Sequence, residues 1–450
     1  MKVAGLIATS AFAGCSGNGN NDDVGDDSTE QEAESTETEQ QLVTHQRAGT
    51  GENGFDYWSN PFWSASEQET ADNEQAAQAM RERRVAWAEA NPEFQANFVY
   101  QSNYDQWEQN LLLQAGSGEA PGGSIFDAQW YGQNGDFLQP LNEHVEDIDD
   151  FLPFVQDVCV QDGDLVGTWF MTGCRVLYYR GDLIDEPPRT FDDVIDISSQ
   201  LSEEQNMDGF AFLAPFALDT LPFYWGQDAD LVNDDGAPAL DDNRDEIVNA
   251  FEFVRRARET GATPSRFASV DSYSQLGQEG ANGDVAMFIG GTFQFSQSIE
   301  PNDDNPDRWE VAHIPMAQED QFATGVGGFG EAAYAPEATS ASESEAEAAA
   351  RLAARAADPE LMGAYCEAGK EIPTRQSVLE DPELWGEDVF EFQEEFVDII
   401  QDGVARPGVE IYPTIADEWT SAMTGVLSGQ SGPETAADNL VQNVNNAYDG

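Results

Sequence analysis

From Phe55 to Asp127 the chain alternates two hydrophobic periods, and this alternation narrows its fold more than any other feature. Phe55-Asp56-Tyr57-Trp58 reads as a strand, followed by an inserted loop over residues 59–69. Ala76, Met80, Val85 and Trp87 recur at near-helical spacing over 71–90, and Asn91-Pro92 stops that helix. Phe94 to Gln101 alternates apolar with polar residues, as a half-buried strand does. Tyr104 to Ala115 returns to the helical period and ends at Gly116-Ser117-Gly118, and Ser124-Ile125-Phe126-Asp127 is a short apolar strand. A strand–helix–strand–helix–strand opening requires a mainly parallel sheet with helices on its faces, so the fold class is α/β. Further helices are expected over 244–260, 343–356, 390–401 and 416–427, and no internal repeat emerges.

At 450 residues the chain is long enough for two to four domains and for large cores that need no disulfide or metal scaffold. Its 86 acidic residues outnumber 19 basic ones, a net charge of −67, and only Lys2 and Lys370 are lysines. Such a surface excludes nucleic-acid recognition, which runs on clustered Lys and Arg. The chain still has 40% hydrophobic and 11% aromatic residues, enough to fill a core. An acidic, lysine-poor surface over a well-filled core indicates a protein of strong brine, where the Debye length is about 3 Å at 1 M salt and self-repulsion costs little.

The N-terminus carries an address. Val3 to Ala13 is an apolar run of eleven residues, well short of a membrane span, and it ends in Phe12-Ala13-Gly14-Cys15. This resembles a lipoprotein signal peptide with its lipobox over residues 1–15, in which Cys15 becomes the lipid-bearing terminus. Lys2 is the only positive charge before it, so we expect the coding start further upstream, with a twin-arginine motif. Residues 16–45 are rich in Gly, Asn, Ser, Thr and acids, with too little apolar surface to offset ordering entropy. They are expected to form an acidic, disordered tether, with the folded part beginning between Leu42 and Phe55.

Of the other cysteines, Cys159 and Cys174 flank a turn at Asp162-Gly163-Asp164; a disulfide between them and two small buried hydrophobes fit the spacing equally well. Cys366 falls in a helical stretch and reads as buried and unpaired. No cysteine or histidine spacing suits a metal, since His45, His144 and His313 are scattered. No cofactor is implied.

Eight short segments then occur in a telling order. Gly135-Asp136-Phe137-Leu138-Gln139-Pro140-Leu141 follows the third strand. Asp162 to Gly167 leads to Val176-Leu177-Tyr178-Tyr179-Arg180-Gly181-Asp182-Leu183. Pro187-Pro188-Arg189-Thr190-Phe191, Asn282-Gly283-Asp284-Val285-Ala286-Met287-Phe288-Ile289-Gly290-Gly291 and Gly325-Val326-Gly327-Gly328-Phe329-Gly330 come next. Glu371-Ile372-Pro373-Thr374-Arg375-Gln376-Ser377-Val378 and Arg406-Pro407 before Tyr412 complete the series. Together they resemble the carbohydrate-type extracellular solute-binding proteins of ABC importers, the maltose-binding-like family, here of haloarchaeal type. Arg180 stands where that family usually has Asn, and Trp169-Phe170 where a Pro is common.

The resemblance implies a two-lobed, periplasmic-binding-protein-like fold, each lobe a mainly parallel sheet flanked by helices, with the ligand cleft between lobes. It implies an N-terminal lobe of 46–173 plus 290–332 and a C-terminal lobe of 174–289 plus 333–450. Crossovers would fall near Thr172–Arg175, Phe288–Gly291 and Gly330–Ala333, and Gly290-Gly291 and Gly327-Gly328 would suit a hinge. It further implies a lipid-anchored monomer on the outer face of the cell membrane. There it would capture a sugar or oligosaccharide and pass it to ABC permease subunits with their ATPase.

A sugar offers flat C–H faces and a ring of hydroxyls, so its site needs aromatic platforms and planar hydrogen-bonding side chains. Residues at strand exits and on the aromatic loop are the candidates: Trp58, Asp127, Trp130, Tyr131, Thr172, Phe216, Trp225, Phe293, Phe329 and Trp419. Trp130 and Phe293 are expected as platforms on opposite walls, with Trp225 next in weight. Phe293 follows Gly291-Thr292, where the family often carries a stacking Trp.

An enzyme is not indicated. With 86 acids, carboxylate pairs of glycosidase spacing carry no information, and there is no Gly-x-Ser-x-Gly elbow or phosphate loop. A secreted carbohydrate-active hydrolase is the second reading, and a receptor for a polyol or a glycerol-3-phosphate-like solute the third. Phosphate favours bidentate Arg, and Arg175 and Arg375 keep that last reading open.

Overall fold

A computed structural model describes residues 43–44, 47–59, 74–101, 104–205, 207–233, 235–387 and 389–449. Cys15, most of the tether and the inserted loop after residue 59 lie outside these residues. Ordered pairing reaches back to Val43–Thr44, antiparallel to Arg47–Ala48, so the last part of the expected tether belongs to the fold.

The opening alternation is realised as β1 (Asn53–Ser59), α1 (Glu74–Ala90), β2 (Phe94–Tyr100), α2 (Tyr104–Ser117) and β3 (Gly123–Asp127). Phe55 and Tyr57 point inward from β1, and Ala96 and Phe98 from β2, the period of two expected for a strand with one covered face. The strands are parallel, with Phe55 opposite Ala96 and Tyr57 opposite Phe98 and Gly123. A Cβ at Gly123 would lie 2.5 Å from the Tyr57 ring, so the close approach of β3 to β1 demands glycine there. Trp87 on α1 meets Phe55 edge-to-face at 5.8 Å, and the Asn91 amide caps the helix by donating to the Trp87 carbonyl at 2.8 Å.

The strand that organises the rest is β4 (Thr168–Arg180). It is followed in the chain by β5 (Asp208–Ala211), α3 (Arg244–Thr260), β6 (Val285–Gly291), β7 (Trp309–Ala312) and β8 (Thr324–Ala333). From Thr168 to Cys174, β4 pairs antiparallel with β8, which itself pairs with β3. From Arg175 to Arg180 it pairs instead with β6 and β7, and β6 in turn with β5 in parallel. One continuous strand is thus shared by two strand sets, and the handover falls at Cys174–Arg175.

The C-terminal third divides between the two sets. Helices α4 (Glu343–Ala354) and α5 (Pro359–Gly369) return to the first set, where the Trp87 indole donates to the Ala348 carbonyl at 3.0 Å. The short strands β9 (Ile372–Pro373) and β10 (Gly403–Ala405) join β4 and β8 there. From this third, α6 (Tyr412–Ser428) and α7 (Pro433–Asp449) pack on α3, with Trp419 5.2 Å from Phe251.

These contacts correct the expected lobe boundaries in two places. Within 343–405, α4, α5, β9 and β10 do not go with the second set, because they build onto β1, β4 and β8, whereas Phe392 meets Phe295 of the second set at 5.0 Å. Residues 290–312 do not go with the first, because β7 pairs with the second half of β4. The chain accordingly passes between sets over 313–323 and 406–411, rather than at Phe288–Gly291 and Gly330–Ala333. The glycine pairs also differ from expectation: Gly290-Gly291 and Gly327-Gly328 are both strand residues facing β4. A Cβ at Gly328 would sit 2.1 Å from the Met171 carbonyl oxygen, so close packing rather than hinge freedom selects it.

Cys159 and Cys174 are both free, as is Cys366, and all three are buried. Cys159 ends a helix, whereas the Cys174 thiol faces the Phe396 carbonyl at 4.0 Å, so each fills its own part of the core. Burial pushes the Cys174 thiol up to about 12 and keeps it neutral.

Candidate functional site

Where β4 changes partners, a cleft of about 610 Å³ opens, within the range of small-molecule sites. Met171, Gly173 and Arg175 border it from one face of β4, and Gly327, Gly328 and Phe329 from β8. The register of β8 shifts between Phe329 and Gly330, the kind of irregularity that re-aims a side chain out of the pleat.

One wall is built around Arg175. Its Nε donates to Asp219 Oδ1 at 2.6 Å and its Nη2 to the Tyr273 hydroxyl at 2.9 Å; that hydroxyl donates to the same Asp219 oxygen at 3.0 Å. Burial works against the charge of Arg175, but Tyr273 and Asp219 outweigh it and hold it a cation. Burial likewise lifts Asp219 above its ordinary value, with Arg175 pulling the other way. Two half-buried rings flank this network: Phe216 lies 4.7 Å from Tyr273, and Phe293 meets Tyr273 edge-to-face at 5.4 Å.

The other wall is polar. Asp127 ends β3 and accepts from the Gln129 backbone N–H at 3.0 Å, capping the helical turn that follows. The same carboxylate oxygen accepts from Arg406 Nη2 at 2.7 Å, while Arg406 Nη1 donates to Gln129 at 2.9 Å. Tyr412, Ala416, Asp417 and Thr420 on the first turns of α6 and Glu371 before β9 complete the border. A second hollow, of about 590 Å³, is bordered by Phe295, Phe390 and Phe392 together with Glu300, Glu391, Glu394, Glu395 and Lys370; unlike the cleft, its border includes no arginine–carboxylate pair among the described residues.

Of the residues singled out in the sequence, Asp127, Phe216, Phe293 and Phe329 border the cleft. The others do not. Trp130 is fully buried, edge-on to Trp107 at 5.2 Å, because the helical turn after Asp127 swings it into the core. Tyr131 stacks on Phe126 at 5.2 Å and donates to the Glu331 carbonyl at 3.4 Å. Thr172 lies on the face of β4 opposite Met171 and Gly173, where its hydroxyl donates to the Gly327 carbonyl at 3.2 Å. Trp225 is buried, and Trp58 is half-buried at the sheet rather than on the cleft. Trp419 is fully buried and donates to Thr220 at 2.9 Å, while its helix neighbours Ala416, Asp417 and Thr420 take the cleft side. Arg375 is held by Asp150 at 3.0 Å and by the Glu146 carbonyl, and is not among the cleft residues.

Sequence reasoning missed Tyr273, Arg406, Glu371 and Tyr412, and weighed Arg175 only as an anion binder. The period of two in β4 puts Arg175 on the face of Gly173, and an arginine inside a strand of a chain with 19 basic residues was the available signal. Among the described residues no group of three His, Cys, Asp or Glu side chains converges as a metal site would require.

Comparison with known proteins places this architecture. Residues 83–390, well over half of the chain, match the family described as bacterial extracellular solute-binding protein. An arabinooligosaccharide-binding protein of Halalkalibacterium halodurans is 25% identical over 264 residues, 55% of this chain and 58% of that protein. The match thus spans little more than half the length of that relative. Among solved structures, maltose-bound MalE3 of T. maritima superposes with a TM-score of 0.70 at 19% identity, covering 87% of this chain and 99% of that one. The cyclic alpha-maltosyl-1,6-maltose binding protein of Arthrobacter globiformis gives a TM-score of 0.71 at 18% identity, covering 87% and 98%. These likenesses show the two-lobed α/β fold. The chain belongs to the bacterial extracellular solute-binding proteins, a family that binds solutes rather than transforming them.

Proposed function

We propose that this protein is the sugar receptor of an ABC importer: it captures a neutral sugar or oligosaccharide in the cleft at the β4 handover and delivers it to permease subunits and their ATPase. The observation that carries this reading is the pairing of half-buried Phe216, Phe293 and Tyr273 with the Arg175–Asp219 and Asp127–Arg406 pairs. Rings meet sugar C–H faces, and planar charged groups meet hydroxyls in pairs. The names of the relatives, an arabinooligosaccharide binder and maltose-bound proteins, support the same ligand class. Both cleft arginines already face carboxylates at 2.6 and 2.7 Å, which disfavours a phosphorylated solute.

A ligand touching both strand sets favours a closed form to the extent that its contacts differ between open and closed states. Within this reading the protein works as a monomer in brine, held at the outer membrane face by lipid on Cys15 and an acidic tether. Calorimetric titration with malto- and arabino-oligosaccharides in molar salt, with mass spectrometry of the recovered sugar, is the test. Binding with the sugar returned intact supports a receptor. Shortened products would establish the hydrolase alternative, and preference for glycerol-3-phosphate would establish the phosphorylated-solute one.

A further inference from the structure

Glu371 stands apart from the other cleft acids. Lys370 before it takes the left-handed conformation at φ 56°, ending α5, and the Glu371 N–H closes that turn on the Cys366 carbonyl at 2.9 Å. Pairing of Ile372 with Thr172 and Pro373 with Met171 then fixes Glu371 beside β4 at the cleft border. Asp127 and Asp219 each hold an arginine, so both cleft guanidiniums are engaged. The Glu371 carboxyl has no hydrogen-bond or ion-pair partner among the described residues, and Lys370 borders the second hollow. The charged and titratable groups around it are Arg175, Arg406, Asp127, Asp417, Tyr273 and Tyr412 across the cleft, and Tyr365, Cys366 and Lys370 beside it. Loss of hydration lifts Glu371 to about 8.

We propose that Glu371 enters the cleft as an uncharged carboxylic acid that donates a hydrogen bond to a ligand oxygen, and is thereby a specificity-determining residue for neutral polyhydroxylated ligands. The inference rests on the sugar-receptor reading. Among acceptor carboxylates, a carboxyl that keeps its proton supplies a donor, and closing the cleft on its ionised form would strip a charge of water without giving it a partner. Ligand and deprotonation therefore compete. Affinity is full below the free-state value near 8 and falls by up to tenfold per pH unit above it.

Two experiments separate the carboxyl from the sugar. The first uses no ligand: thermal melts of the wild-type chain and Glu371→Gln in molar salt from pH 4 to 9. The folded value is raised above the unfolded one, so wild-type stability relative to the variant should be greatest below the ordinary carboxylate range. It should be lost progressively up to about pH 8 and level beyond. A difference flat with pH overturns the neutral carboxyl, whatever any sugar does. The second is calorimetry with maltotriose and arabinotriose. Wild-type affinity for the sugar that binds should fall about tenfold between pH 7 and 9. Glu371→Gln should stay within about threefold of wild type at pH 7 and remain flat. Glu371→Ala should bind more weakly at every pH, also without a slope. A flat wild-type profile, or a Gln variant with the wild-type slope, overturns the donor role. Failure of both sugars at every pH, with the melts titrating as described, overturns the sugar reading and the ligand half of this proposal while leaving the neutral carboxyl standing.

Discussion

The chain leaves β3 and β6 in similar ways, and the two exits do opposite things with their aromatic residues. After β3, Asp127 caps a helical turn; the cap and Gln129 face the cleft, and Trp130 and Tyr131 rotate into the core against Trp107 and Phe126. After β6, Thr292 and Phe293 face the cleft, while Gln294 and Phe295 turn inward, Phe295 meeting Phe392 at 5.0 Å. An aromatic residue at a strand exit is therefore not a platform by position alone. Asp127 is the cap and still has extended backbone, at φ −68° and ψ 142°, so its side chain leaves on the strand's terms, whereas Trp130 is set by the helical turn that follows. At the β3 exit the polar cap has the cleft and the large apolar rings have the core, which is the arrangement that buries more apolar area.

The largest effect that would break this comparison is on stability. Trp130→Ala should cost about 3–5 kcal/mol, since a fully buried indole leaves a cavity, while binding by the folded fraction stays nearly unchanged. Denaturation in molar salt with titration of the same sample measures both; weak binding with an unchanged melt would return Trp130 to the cleft. Phe293→Ala should reverse the pattern, losing about 2 kcal/mol of binding, some 30-fold, with a small shift in melting. Asp127→Asn keeps the cap acceptor but weakens the hold on Arg406, and about 1 kcal/mol of affinity should follow. The smallest effect sharpens the fold: a reducing agent should leave the melting temperature where it was, because Cys159, Cys174 and Cys366 are free thiols. A downward shift would restore the disulfide.

Much of the first strand set is legible in the sequence, because strands and helices of unlike period alternate with clear stops such as Asn91-Pro92 and Gly116-Ser117-Gly118. Helix α3 begins and ends where its spacing predicts, with acids in its first turn and Gly261 at φ 80° after its last. The helix expected from 416 begins at Tyr412, since Pro413 suits a first turn and gives no stop signal. Lobe membership was not legible. Helix α4 packs on β1 and β3, and α5 on α1, all laid down more than two hundred residues earlier, and their own amphipathic pattern does not say which sheet they cover. In the cleft, Asp127, Phe216, Phe293 and Phe329 followed from strand exits and turns. Arg175, Tyr273 and Arg406 did not, because their role lies in pairs such as Arg175 with Tyr273, 98 positions apart.

The central claim is that a neutral oligosaccharide sits on the Phe216–Tyr273–Phe293 wall of the cleft. Calorimetric titration of the double variant Phe216→Ala/Phe293→Ala beside the wild-type chain, both checked for fold by circular dichroism in molar salt, tests it most directly. The account predicts a folded double variant whose affinity for the wild-type sugar drops by about 100-fold or more. A folded double variant that binds the same sugar with unchanged affinity would place the site elsewhere.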